Sequence, residues 1–239
     1  MEEIVLMADP RVASIPVREC GERLVDIRSS SRLLVDERKQ DTGEAFAYLR
    51  KGVVERLEQA QSSLPDGLRL LIVEGYRSPH LQQRYFEEYA DTLRTDHPDW
   101  SGERIRSAAS RYVSPPEIAP HSAGAAVDLT LADAEGVELD LGTPMNATPE
   151  ESAGACYTQA VNISAQASEN RDILAASLTS AGLVNYPTEW WHWSYGDRYW
   201  ALATATPFAH YGPREIDGDT GRRIAVRQSG RPTVPDAEG

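Results

Sequence analysis

The sequence predicts an α+β fold in which a small antiparallel sheet is flanked by helices. Apolar residues recur at helical spacing in several segments, and the apolar stretches between these segments are only five or six residues long, as strands are. Stretches rich in proline and glycine separate the two patterns. With 239 residues, of which 41% are hydrophobic, the chain is long enough to bury a substantial core.

The first half of the chain predicts three helices and one strand. Residues 44–64 carry apolar side chains at helical spacing until "PDG" ends the segment, and "LRLLIV" (68–73) is typical of a buried strand. The "SP" at 78–79 can cap a helix that runs through residues 81–94. A further helix is predicted over residues 102–113.

The second half predicts the rest of the sheet and one more helix. Residues 114–126 are rich in proline and glycine and form a loop, which leads into the strand "AVDLTL" (126–131). The segment "VELDL" (137–141) is a hairpin partner for that strand. A helix is predicted over residues 165–181, and "WWHWSY" (190–195) is predicted to be a strand.

These elements are predicted to form one domain over residues 1–212. Residues 213–239 would then be a tail, because the sequence from Ile216 onward is polar with scattered glycine and proline.

The charge balance excludes some classes of partner. The net charge is −13, from 37 acidic and 24 basic residues. Binding to nucleic acid requires a basic face, and anionic membrane surfaces attract basic segments, so we expect neither partner. Acidity itself selects no substrate, and the sequence does not indicate an oligomeric state.

The N-terminus and the cysteines bear on location. "MEEIVLMADPR" opens with two glutamates and has five consecutive apolar residues, whereas a secretory signal needs a basic start and a longer apolar run. No stretch approaches the ~20 apolar residues of a membrane helix. We therefore expect a cytoplasmic protein. Cys20 and Cys156 show no C-x-x-C pattern, so we expect two reduced, buried thiols.

The stretch "HSAGAAVD" places His121 seven residues before Asp128. On one strand this odd separation would point the two side chains to opposite faces, and the flanking prolines and glycines disfavour a helix. The simplest geometry has His121 on the loop and Asp128 on the strand, with Gly124 allowing the backbone to fold back. Two interpretations remain open: the pair binds a metal, or the histidine is an ordinary loop residue and the aspartate pairs with an arginine.

The stretch "EWWHWSYGDRYW" (189–200) holds four of the five tryptophans, with Glu189 three residues before His192. Catalytic zinc sites use three protein ligands and keep one position for water. Two histidines and one aspartate would leave a positive centre that lowers the pKa of that water. Glu189 could accept the water's proton, and the tryptophans could exclude bulk water. The alternative is a heavily packed core strand.

Arg77, in "EGYRSP", stands between the predicted strand and the following helix. A fixed guanidinium at this position could stabilise the oxyanion that forms when water attacks a peptide carbonyl. A surface arginine beside a helix start is the alternative.

The motifs "GYRSP", "HSAGAAVDLTL" and "EWWHWSY", in this order, resemble those of the zinc D-alanyl-D-alanine dipeptidases, known best from vancomycin resistance. The resemblance covers about residues 8–212. It implies the zinc fold shared by D,D-peptidases and the hedgehog signalling domain, with one zinc ion per chain and a small D,D-peptide as substrate. It also implies that His121, Asp128 and His192 are the zinc ligands. It implies Glu189 as the general base and Arg77 as the partner of the carbonyl oxygen.

Two positions depart from the family pattern. Ala119 stands where the resistance dipeptidases usually have serine, and Asn146 stands where they have an aspartate. Replacing that carboxylate with an amide removes a charge that would hold the substrate's ammonium group. The expected activity is hydrolysis of D-Ala-D-Ala or a similar dipeptide. The alternatives are a D,D-carboxypeptidase or endopeptidase acting on peptidoglycan stem peptides, and a non-catalytic binding module stabilised by zinc.

Overall fold

The computed structural model describes residues 4–39 and 44–215, in which helices alternate with short strands. The strands are β1 (Leu24–Asp26), β2 (Leu34–Val35), β3 (Tyr48–Arg50), β4 (Arg69–Glu74), β5 (Ala126–Ala132), β6 (Val184–Asn185) and β7 (His192–Ser194). The helices are α1 (Pro10–Ser14), α2 (Lys51–Ser63), α3 (Pro79–Asp96), α4 (Gly102–Ala109), α5 (Ala165–Ser180) and α6 (Arg198–Ala203). The predicted α+β class is confirmed.

The main sheet has five strands in the order β2-β4-β5-β7-β6. Neighbouring strands are antiparallel except for the short parallel pair β2–β4. A separate antiparallel pair joins β1 to β3. The long central strand β5 is buried along its whole length, so the sheet has elements on both of its faces.

A β-bulge decides which face of the sheet carries polar side chains. In β4 and β5, Ile72 lies opposite Leu129 and both face the main core, but the register then shifts so that Glu74 lies opposite Asp128. Because side chains alternate along a strand, the extra residue turns Glu74 away from the core and onto the face of Asp128. On the other side of β5, His192 is also level with Asp128.

The main core fills the opposite face of the sheet. Helices α2 and α5 pack against each other there, and the central leucines of α2 and α5 share a cluster with Trp190, Trp191 and Trp193. Helices α3 and α4 form a second, smaller apolar cluster. The region between α3 and the polar face of the sheet is therefore free to hold a site.

Arg50 is a fully buried cation that joins three segments. Its guanidinium donates to the carbonyl oxygens of Ala123 (2.8 Å), Gly212 (3.1 Å) and Glu22 (2.6 Å). It also forms an ion pair with Glu19 at 2.9 Å. Each donor therefore has a partner, as a buried charge requires.

The helix predicted over residues 44–64 is correct only from Lys51 onward. Residues 45–47 form a 3₁₀ turn, and Tyr48–Arg50 is strand β3. Tertiary contacts override the helical spacing of the apolar residues here. Strand β3 pairs with β1, and the carbonyl oxygen of Tyr48 accepts a hydrogen bond from the Tyr76 amide.

The hairpin partner predicted at residues 137–141 is wrong as a strand. A single bridge joins Ala132 to Glu138. Strand β7 already occupies this edge of β5 over residues 126–128, so only the last residues of β5 remain for another partner. The helix predicted over residues 102–113 ends at Ala109.

Three further expectations concern the ends of the chain and the thiols. The predicted tail lies outside the described residues from 216 onward. Its described beginning contacts the domain, since the Arg214 amide donates to the Ser122 carbonyl oxygen at 3.0 Å. Both cysteines are free, but Cys20 is exposed rather than buried, because it lies in an extended surface segment. Within residues 4–39 and 44–215, no helix has the length and apolar character needed to cross a membrane.

Candidate active site

His121 begins a 3₁₀ turn (His121–Ala123) that ends at Gly124, whose backbone is left-handed with φ of 64°. The turn is held against the end of β4. Imidazole Nδ1 lies 2.6 Å from the carbonyl oxygen of Gly75, and the Arg77 amide donates to the carbonyl oxygen of His121. A carbonyl can only accept, so Nδ1 carries the proton and Nε2 presents its lone pair to the interior.

Three ligand atoms converge at the level of Asp128. His121 Nε2 lies 3.2 Å from His192 Nδ1 and 3.4 Å from Asp128 Oδ1, and His192 Nδ1 lies 3.0 Å from the same carboxylate oxygen. All three residues are buried. Burial would raise the pKa of Asp128, but the two imidazoles outweigh that effect and hold it below its usual range.

The spacing of these atoms fits a bound metal ion. Ligand bonds of about 2.0–2.1 Å in a tetrahedral zinc site put neighbouring ligand atoms about 3.3 Å apart, close to the three distances observed. Nitrogen and carboxylate oxygen are also the donor types that zinc accepts. With Nδ1 of His192 facing the cluster, its Nε2 carries the proton, and Nε2 has no hydrogen-bond partner among the described residues.

Glu189 lies beside this cluster, with Oε2 3.9 Å from His192 Nδ1. Burial raises the pKa of Glu189 to about 7. A carboxylate with a pKa near neutrality can both accept and return a proton at physiological pH. The turn that carries it is fixed by Asn185, whose Nδ2 donates to the carbonyl oxygens of Glu189 (3.1 Å) and His192 (3.0 Å).

The tryptophans divide between site and core. Trp191 belongs to the main core and also lines the cavity, whereas Trp190 and Trp193 belong to the main core without lining the cavity. Their indole N–H groups have partners, since Trp190 Nε1 donates to Thr143 Oγ1 and Trp193 Nε1 donates to the Trp190 carbonyl oxygen. The aromatic stretch is therefore mainly a packing element, and one of its rings helps to enclose the site.

Arg77 is a cavity residue with 12% of its side chain exposed, not a surface arginine. Its Nε donates to Glu74 Oε1 at 2.7 Å, and its Nη1 donates to Gln82 Oε1 at 2.9 Å. Burial would raise the pKa of Glu74, but Arg77 outweighs that effect and holds it at about 2. The guanidinium is therefore fixed by an ionised carboxylate and an amide.

The structure places all five predicted site residues around one cavity of about 410 Å³ between the sheet and α3. It adds Lys39 and Gln82 to the lining, together with the tyrosines 85, 89, 112 and 186. Sequence reasoning missed Glu74, which it could have found as a carboxylate that closes the apolar strand "LLIV". Asn146 also lines the cavity, and its left-handed φ of 64° is one that asparagine tolerates well.

Three potential ligand atoms beside a buried carboxylate are typical of a hydrolytic metal centre, and comparisons with known proteins agree with this class. The sequence profile of the peptidase M15 family, described as D-ala-D-ala dipeptidase, matches residues 37–210. The D-alanyl-D-alanine dipeptidase of Synechocystis sp. is 28% identical over 218 residues, covering 79% of this chain and 87% of the relative. The Escherichia coli dipeptidase is 30% identical over 151 residues, covering 62% and 67%.

The chain belongs to this D-ala-D-ala dipeptidase family and is a metallopeptidase. The chain is therefore an enzyme, and the alternative interpretation as a non-catalytic binding module is wrong. Among solved structures, the LdcB LD-carboxypeptidase matches with 17% identity and a TM-score of 0.44, covering 79% of this chain and 74% of that one. The vancomycin-resistance D,D-pentapeptidase VanY, solved with Zn(II), matches with 16% identity and a TM-score of 0.37, covering 66% and 78%.

Proposed function

We propose that this protein is a zinc-dependent dipeptidase that hydrolyses D-Ala-D-Ala or a similar D,D-dipeptide. His121, Asp128 and His192 would hold one zinc ion, with Glu189 as general base and Arg77 as the partner of the carbonyl oxygen. The observation that carries the proposal is the triangle of ligand atoms, 3.0–3.4 Å on each side, with the Glu189 carboxylate next to it.

Zinc bound there would lower the pKa of a water molecule and polarise the scissile carbonyl. Glu189 would take a proton from the attacking water and pass it to the leaving amino group, so that the carboxylate is regenerated at the end of the turnover. Arg77, held by Glu74 and Gln82, would donate to the carbonyl oxygen as negative charge develops on it.

The test of the general base is Glu189→Ala in the zinc-loaded protein. We expect kcat on D-Ala-D-Ala to fall at least about 10²-fold, because a general base contributes about 10²–10⁴-fold. Zinc content, measured by elemental analysis, should stay at one equivalent because Glu189 is outside the ligand triangle. The control is Glu103→Ala, an exposed glutamate on α4. A Glu189→Ala enzyme with wild-type turnover would contradict the assigned base.

A second candidate is a D,D-carboxypeptidase acting on longer stem peptides, and the cavity favours it. Its volume of about 410 Å³ lies within the range of about 300–1,000 Å³ that holds drug-sized ligands, which leaves room beyond two alanine residues. Incubation with a muropeptide pentapeptide separates the candidates. Release of the terminal D-alanine would favour the carboxypeptidase, and an uncut pentapeptide beside a cleaved dipeptide would favour the dipeptidase.

A further inference from the structure

A second cation reaches the buried carboxylate that holds Arg77. Lys39 Nζ lies 3.2 Å from Glu74 Oε2, on the oxygen that Arg77 does not use. The Glu74 side chain is 5% exposed, whereas 29% of the Lys39 side chain is exposed, and Lys39 lines the cavity. Glu74 thus anchors a lysine whose ammonium group stays accessible from the cavity.

The charges in this group do not balance. Glu74 contributes one negative charge, and its low pKa keeps it ionised, while Arg77 and Lys39 contribute two positive charges. One cation is enough to compensate the carboxylate, so the cluster has a net charge of about +1 at the cavity wall. A positively charged cavity wall of this kind attracts an anion.

The distance from this cluster to the ligand triangle limits how far the anionic group of a substrate can lie from the bond that is cleaved. Glu74 lies directly opposite Asp128 on the neighbouring strand, and neighbouring strands are about 4.8 Å apart. In a peptide, the carboxylate of the last residue follows the last amide bond by about one Cα–Cα step of roughly 3.8 Å. A peptide with its scissile amide at the metal centre would therefore have its terminal carboxylate within reach of the Lys39–Glu74 pair.

We infer that Lys39, anchored by Glu74, binds the C-terminal carboxylate of the substrate and restricts the enzyme to the last peptide bond. This inference rests on the proposed function and deepens it. It assigns the ligand class as a peptide with a free carboxyl end. A chain that continues past the scissile bond would put a neutral amide beside the ammonium group.

The kinetic test compares D-Ala-D-Ala with its C-terminal amide in wild-type and Lys39→Met enzymes. In the wild type we expect kcat/KM to be about ten- to a hundredfold higher for the free acid, as a charge-assisted hydrogen bond provides. In Lys39→Met this preference should vanish through loss of activity on the acid, and Lys39→Arg should restore part of it. A Lys39→Met enzyme that keeps the wild-type preference would overturn the inference.

The composition offers a matched control, because the whole chain has only two lysines, Lys39 and Lys51. Lys51 is half exposed at the start of α2 and pairs with Glu55. Lys51→Met should keep the wild-type kcat/KM on both D-Ala-D-Ala and its C-terminal amide, and therefore the preference for the free acid. A Lys51→Met enzyme that loses the preference would mean that a general charge effect, not the cavity lysine, selects the carboxylate.

A second readout does not depend on turnover. Reductive methylation with a carbon-13 label keeps the lysine charge and gives one NMR signal for each lysine besides the N-terminus. In the zinc-loaded protein, D-alanine should shift the Lys39 signal, and D-alaninamide should leave it unchanged. The Lys51 signal should not move with either ligand. Equal shifts by the acid and the amide would overturn the carboxylate site.

The two readouts separate the failures. If no D,D-dipeptide is hydrolysed but D-alanine still shifts Lys39, the proposed function fails and the carboxylate site stands. If D-Ala-D-Ala is hydrolysed without a Lys39 shift, the proposed function stands and the carboxylate site fails.

Discussion

Arg77 and Glu189 reach the same cavity from opposite directions along the sheet. Arg77 follows the C-terminal end of β4, and Glu189 precedes the N-terminal end of β7. Both strands are antiparallel to β5, so they run in the same direction, and Asp128 lies between them in register. A carbonyl held near Asp128 would therefore have the guanidinium on one side and the carboxylate on the other.

We predict that Arg77→Lys lowers kcat on D-Ala-D-Ala about 10²-fold. A lysine cannot donate to Glu74, Gln82 and the substrate oxygen with the planar geometry of a guanidinium. The control is Arg84→Lys, an exposed arginine on α3 that lies 3.7 Å from Glu88. Steady-state kinetics would contradict the role of Arg77 if the two variants had equal kcat values.

The five residues proposed for the site could be singled out in the sequence because each stands in a short motif that resembles those of the family. Lys39 lacks such a signal, and Glu74 is marked in the sequence only as a carboxylate that closes an apolar strand. They meet only through β2 and β4, which pair in parallel, and through the bulge that turns Glu74 onto the polar face. Long-range strand pairing of this kind cannot be read from local spacing.

Among the elements, the His121 turn depends on the residue that ends it, Gly124. Gly124 has a left-handed backbone, and a Cβ atom there would lie 2.2 Å from Leu24 Cδ2 on strand β1. The sequence predicted that the chain folds back at this glycine, and the structure agrees. The same reasoning failed at residues 44–50, where pairing with β1 replaces the first turns of the predicted helix.

We predict that Gly124→Ala destabilises the protein by about 2–4 kcal/mol, from backbone strain and overpacking together. It should also weaken zinc binding, because the turn carries His121. Gly154→Ala is the matched control: Gly154 has φ of 77°, but apart from its chain neighbours no described atom lies within 4 Å of its Cβ position. Urea unfolding should show only about 1–2 kcal/mol for the control. Equal losses in the two variants would refute the contact with Leu24.

For the whole molecule, the proposed ligand triangle would couple zinc binding to folding. Its three members come from a loop after residue 114, from β5 and from β7, so they converge only in the folded chain. A ligand that binds only the folded state stabilises it.

The α+β class was predictable because the periodic segments are long. The convergence of the three ligand residues was predictable only as a consequence of family resemblance.

We predict that zinc at about 100 times its dissociation constant stabilises the protein by about 2.7 kcal/mol. For a chain of this length, that corresponds to a rise in Tm of about 5–10 °C, which a chelator should reverse. His192→Ala should abolish the rise, whereas His97→Ala, an exposed histidine on the surface, should keep it. Thermal unfolding with and without zinc measures both. An unchanged rise in His192→Ala would place the zinc elsewhere.

The buried Arg50 guanidinium holds the carbonyl of Ala123, the last residue of the His121 turn, together with those of Glu22 and Gly212. Residues near both ends of the described chain therefore help to brace the catalytic loop from behind. Trimming the protein before Gly212, or removing its first two dozen residues, would remove acceptors from this buried charge and uncover it. Such shortened forms would lose their catalytic geometry although every residue lining the cavity was still present.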